Sequence, residues 1–232
     1  MSLTKAAVNC LLTSLLLISS TLPAWAGDKG KDEETLRNAA TVLQAMLDDN
    51  NVPRSLLAQA DCVIVLPGVK KGAFFLGGSG GRGPMSCRGG KKFSGRWSAP
   101  AMYGIGGASF GMQFGGSSTD FVLLIMTDRA VDGVLGGKIK LGRDMTAAAG
   151  PSGATSAGSV GGTDILTYGR TKGLFAGMSV SGASLSPDSD ANQRLYGKVT
   201  SARDIVFGGA VKTSAGGQNF VAILERAPKH NG

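Results

Sequence analysis

The chain has 232 residues, 37 of them glycine, and carries 24 basic against 16 acidic side chains with a single histidine. That is enough for one domain with a sizeable core, and the glycines follow no collagen period. The single histidine and the two cysteines beyond residue 26 leave no ordinary ligand set for zinc or iron, so neither a metal nor another cofactor is expected.

Residues 1–26 read as a secretory signal peptide. Lys5 gives a positive start, Leu11 to Leu22 is an apolar run, and Pro23-Ala24-Trp25-Ala26 ends in A-x-A, so cleavage is expected after Ala26. The run is shorter than the roughly 20 apolar residues of a membrane span. The mature chain, 27–232, is expected to be periplasmic or secreted, with 23 basic residues against 16 acidic. In an oxidising compartment its isolated cysteine pair, Cys62 and Cys87, is more often a disulfide than a catalytic pair.

Along the mature chain, Asp32 to Asp49 predicts an amphipathic helix. Leu36, Ala39, Ala40, Leu43, Met46 and Leu47 recur at spacings of three and four, and Asp32, Glu33 and Glu34 crowd its first turn, where the helix dipole favours anions. Asn50-Asn51 ends it, and Pro53 opens a short helix, Arg54 to Ala60. CVIVLPGV, from Cys62, begins a series of strands separated by glycine- and serine-rich turns. The others are Ala73 to Gly77, Met85 to Arg88, Ala108 to Phe114, Phe121 to Thr127, Ile165 to Arg170 and Leu174 to Leu185. Ala130 to Leu135, Asp190 to Gly197, Ala202 to Phe207 and Gln218 to Arg226 read as short helices, and PKHNG as a loose tail. The fold class is α+β: an antiparallel β-rich core, barrel- or sandwich-like, with N-terminal helices and short C-terminal ones.

Several motifs resemble catalytic or ligand sites and fail on chemistry. Gly107 to Gly111, GASFG, spells the nucleophile elbow G-x-S-x-G around Ser109. The elbow needs a helix next and a histidine base, whereas MQFGGSSTD follows and the only histidine is His230 near the C-terminus. A strand fits better, with Ala108, Phe110, Met112 and Phe114 on one face and a nearly bare glycine face opposite. No phosphate-binding glycine loop is complete. Asp188, Asp190 and Asn192 imitate the start of a calcium loop, but Gln193 and Val199 replace its glycine and glutamate, so a helix N-cap is the better reading. No catalytic residue is expected.

One charge feature remains. No acidic residue lies between Asp61 and Asp120, but Lys70, Lys71, Arg82, Arg88, Lys91, Lys92 and Arg96 do. Gathered by hairpin turns, they would form a cationic surface for phosphate-bearing lipid head groups, each adding about 1 kcal/mol near an anionic membrane. The bland alternative is a solvated face. Nucleic acid is disfavoured by the export signal and the scarcity of stacking aromatics.

The ordered blocks ADCVIVLPGVKKGAFFLGG, GRGPMSCR, WSAPA, GGASFGMQFGG, DFVLLIM, LGRD, YGRTKGLFAGMSVSGASL and DANQRLYG resemble the SYLF domain family from about Thr35 to Phe207. The resemblance implies a single non-enzymatic domain that binds phospholipids, phosphoinositides in eukaryotic members, some of which also bundle actin. It also implies Cys62 and Cys87 on neighbouring strands. The chain looks like an exported bacterial member, so actin is not an expected partner, and an anionic phospholipid surface is. The alternative is a structural or interaction protein of the cell envelope that binds protein or polysaccharide.

Overall fold

The computed structural model describes residues 24–71, 79–107, 118–150, 162–171, 174–176, 180–209 and 211–226. Helix α1 (Ala24–Asp48) begins eight residues before the predicted start. Its buried stripe is the one the spacing predicts, Leu36, Ala39, Ala40, Leu43, Met46 and Leu47. Because the helix starts early, Asp32 and Glu33 lie in its third turn, away from the dipole's positive end, and both turn toward the body of the protein. Asn50 takes a left-handed φ of 55° and ends the helical stretch. Pro53 caps α2 (Arg54–Gln59).

Nine strands follow among the described residues: β1 (Cys62–Lys71), β2 (Ser79–Cys87), β3 (Ala101–Gly107), β4 (Thr119–Ile125), β5 (Ile139–Lys140), β6 (Ala147–Ala149), β7 (Ile165–Thr171), β8 (Leu174–Ala176) and β9 (Ser184–Pro187). They form one curled sheet, a half-barrel, in the order β5-β9-β3-β2-β1-β4-β7-β6, with β8 on the far half of β7. All pairings are antiparallel except β6 with β7. The α+β expectation is met by this sheet with its flanking helices.

The central strands are buried on both faces, which is why CVIVL is a continuous apolar run. Ile64, Leu66, Phe121 and Leu123 face a core shared with α3 (Asp128–Gly136) and α5 (Ala202–Val206). Val63, Val65, Val122 and Leu124 point the other way, into a core shared with α1, α2 and α6 (Ala215–Glu225). Helix α4 (Ser189–Tyr196) packs Ala191 and Leu195 with Leu36 of α1 and Met102 of β3. Cys62 and Cys87 are register partners across β1 and β2 and form a buried disulfide.

Strand β3, absent from the predicted set, is legible only in space. Its glycine-rich run lies against the equally glycine-rich β2, with Gly80 opposite Gly106 and Arg82 opposite Gly104. A Cβ at Gly83 would stand 1.9 Å from the Val65 carbonyl oxygen, so only glycine lets β2 pass β1 there. The predicted strand Leu174 to Leu185 is divided between β8 and β9, with a turn at Gly182, φ 86°, before β9. The candidates at 73–77 and 108–114, with Ser109, lie outside the described residues, as do the tail and most of the signal-peptide segment. Gly107 itself closes β3. Among the described residues no helix is long and apolar enough to cross a membrane.

Candidate functional site

The basic window does not fold into one patch. Lys70 is exposed near the end of β1, opposite Gly80, and Lys71 pairs with Ser79. Both lie at the end of the β1–β2 ladder remote from the Cys62–Cys87 pair, about 25 Å along the strand.

Arg82 turns inward. It reaches Oδ1 of Asp32 at 2.6 Å and Oδ2 of Asp188 at 3.4 Å, and its side chain is 35% exposed. Asp32 is wholly buried, and Arg194 closes on it from α4, Nε to Oδ2 at 2.7 Å and Nη2 to Oδ1 at 3.3 Å. Two guanidinium groups therefore share one carboxylate and tie α1, β2 and α4 together. The hydrogen bonds to Asp32 hold the Arg194 proton more tightly than usual. Asp188 is also the N-cap of α4, accepting from the Ala191 amide, and Asn192 grips both backbone groups of Met102. The calcium-loop imitation is thus a cap and a helix dock, and among the described residues no three metal-ligating side chains gather.

Arg88 is buried too, its guanidinium 4.4 Å from the centre of the Trp97 ring. Burial lowers its pKa, and Glu225 and Asp61 partly restore it. The window is free of acids in sequence but not in space, because Asp32, Asp188, Glu225 and Asp61 come from outside it.

Lys91, Lys92 and Arg96 remain exposed together on the connection between β2 and β3. That loop closes on itself: the Gly89 amide donates to the Arg96 carbonyl at 2.9 Å, and the Gly95 amide to the Gly89 carbonyl at 2.7 Å. At its tip is a 3₁₀ turn, Lys91–Phe93, in which Lys92 and Phe93 have left-handed φ values of 53° and 51°. Each costs about 1 kcal/mol or more for a residue with a side chain, so the surroundings must hold the turn in place. Phe93 does so by packing on the core and meeting Phe207 of the α5 C-cap, ring centres 6.0 Å apart at 49°. Phe207 is itself 39% exposed, one of two large apolar side chains on the described surface. Arg96 is 91% exposed, with Nε 3.6 Å from Glu225 Oε1, while Glu225 also accepts the Trp97 amide. Three exposed cations thus share one turn, and its Phe93 ring meets the partly exposed Phe207 of α5. The sequence marked the cations; the aromatic pair joins residues more than a hundred positions apart and left no local signal.

The family model described as Ysc84, Las17-binding protein actin regulator, matches residues 106–227. SH3 domain-containing YSC84-like protein 1 of Homo sapiens is 32% identical over 182 residues, covering 77% of this chain and 52% of the relative. Its Xenopus laevis counterpart is 33% identical over 183 residues, covering 77% and 53%. Protein YSC84 of Saccharomyces cerevisiae is 31% identical over 202 residues, covering 82% and 42%. The chain therefore spans about half the length of the curated relatives it matches. The expectation that actin has no place among the partners is corrected by the family's description as an actin regulator.

Proposed function

Because this chain belongs to the Ysc84 family, we propose that it is a binding module without catalytic activity that docks on anionic phospholipid surfaces through the turn at Lys91–Arg96. The observation that carries this is the exposure of Lys91, Lys92 and Arg96 beside the Phe93–Phe207 pair. Ammonium and guanidinium groups meet head-group phosphates, while Phe207 offers an apolar contact at the interfacial level. Lys70 is a separate, weaker contributor; Arg82 and Arg88 serve the fold. Export, with cleavage after Ala26, belongs to this reading, and the N-terminal sequence of the purified mature protein tests it.

Sedimentation with vesicles of anionic against zwitterionic lipid tests the surface. Binding restricted to anionic vesicles and lost in the Lys91→Glu, Lys92→Glu, Arg96→Glu variant is expected. Binding that is absent, or indifferent to the variant, sinks the proposal.

A second reading is favoured by the family description: engagement of the actin-regulatory machinery. Co-sedimentation of the protein with actin filaments, with and without the same charge reversals, separates the two. A stoichiometric protein partner that survives those reversals would favour a protein-binding role.

A further inference from the structure

A second cationic feature lies on surface that the basic window does not reach. Between the first turns of α1, the end of α4 and the start of α6 is a cleft of about 590 Å³, walled in part by Leu195 and Tyr196. Lys29, Lys198 and Lys212 line it, from three separate parts of the chain, and all three are exposed. Lys29 and Lys212 enter no ion pair among the described residues. One acid, Glu33, faces the same cleft, and its Oε2 is already committed to the Gly216 amide and the Ser214 hydroxyl. That carboxylate takes up donors at the start of α6, so the helix end is closed to a ligand. Lys29 and Lys212 thus stand unpaired among the described residues, with Lys198 beside them and one committed carboxylate, around a volume in the range of small-ligand sites.

We propose that this cleft is a binding site for a compact, multiply charged phosphate group. Lysine ammonium groups are point charges that suit phosphate oxygens without demanding a fixed planar geometry. A singly charged carboxylate gains less here, because the net cationic excess of the lining acts on a smaller ligand charge. Leu195 and Tyr196 set an apolar wall against the organic part of a phosphate ester. The phosphate comes either free in solution or at the head of a lipid, and the cleft's chemistry is the same for both. The inference is independent of the turn at Lys91–Arg96, because no residue is shared.

The test is calorimetric titration of the mature protein with inorganic pyrophosphate. Saturable binding is expected, weakened about tenfold or more in Lys29→Ala, Lys212→Ala and unchanged in Lys91→Glu, Lys92→Glu. Amide chemical shifts of the unmodified protein give a second readout: Gly216, Gly217 and Tyr196 should move on saturation. Absence of saturable binding, equal weakening by both pairs of substitutions, or shifts centred on residues 89–96 would each overturn the proposal. Vesicles whose lipids end in a phosphate monoester form the other arm. Capture by them that pyrophosphate displaces points to a head group, and pyrophosphate binding with no capture points to a soluble ligand; either outcome supports the site. Failure here alongside successful charge-dependent vesicle binding would leave the turn's role intact.

Discussion

Asp32 and Arg194 stand 162 positions apart and meet through both carboxylate oxygens inside the protein. With Arg82 on the same carboxylate, this pair fixes α1 to the sheet and to α4. Asp32→Ala leaves two guanidinium groups without their shared anion. Since Arg82 and Arg194 keep some access to water, a loss of about 2–3 kcal/mol is expected, read from the urea midpoint at unchanged slope.

On the proposed reading, stability and surface binding fall to different arginines. Arg82→Gln is expected to lower the unfolding midpoint while leaving anionic-vesicle binding as it was. Arg96→Gln should do the reverse, because Arg96 is almost fully exposed and its contact with Glu225 is long. Parallel melting curves and vesicle sedimentation check the exchange. A vesicle defect in Arg82→Gln at full stability would contradict the assignment.

Asp164 gives the acid limb a specific origin. Burial raises its pKa, but the Thr146 hydroxyl and amide, the Thr127 hydroxyl and Arg129 outweigh this and bring it below the usual carboxylate value. A depressed folded pKa contributes stability above the unfolded value, about 3.9, and that contribution disappears as pH falls through the folded pKa. Asp164→Asn is therefore expected to be less stable at neutral pH and to show a shallower loss below about pH 4. Urea midpoints measured from pH 7 to pH 2 decide it.

The disulfide joins positions 25 apart in sequence and is buried. Replacing both cysteines with alanine is expected to cost about 3–4 kcal/mol. Reductant added to the native protein should act only at the rate of unfolding, so thiol release should accelerate when sub-denaturing urea is added.

Two glycines predict opposite outcomes. Gly83→Ala drives a methyl into the Val65 carbonyl and should abolish soluble protein or cost several kcal/mol. Gly30, within α1, has nothing within 4 Å of the point where a methyl would stand, so Gly30→Ala should stabilise by up to about 1 kcal/mol. Thermal midpoints compare the two.

Local pattern made α1's buried stripe and the apolar run CVIVL readable, because each depends on near neighbours in the chain, whereas the cysteine bridge was read from an isolated pair in an expected oxidising compartment. Strand β3 was not readable, because glycine carries no apolar signal and its fit depends on β2 across the sheet. Charge was the least legible property. Arg82 and Lys91 look alike in sequence, and only the arrival of Asp32 and Asp188 from distant segments separates a half-buried clamp from an exposed cation. The Phe93–Phe207 contact and the three-lysine cleft are of the same kind, assembled by topology rather than by spacing.

Strand β1 is apolar on both sides, Val63 and Val65 toward one core and Ile64 and Leu66 toward the other. Ordinarily a one-residue slip is penalised because it turns the greasy side to water. Here such a slip would merely exchange two greasy sides, so hydrophobicity alone does little to forbid it. What forbids it is local: the bond between Cys62 and Cys87 at one end and the absence of a side chain at Gly83 where Val65 passes. The bridge is an alignment pin as well as a staple. A reduced chain would be at risk of mispaired hairpins even where its remaining contacts suffice for compactness.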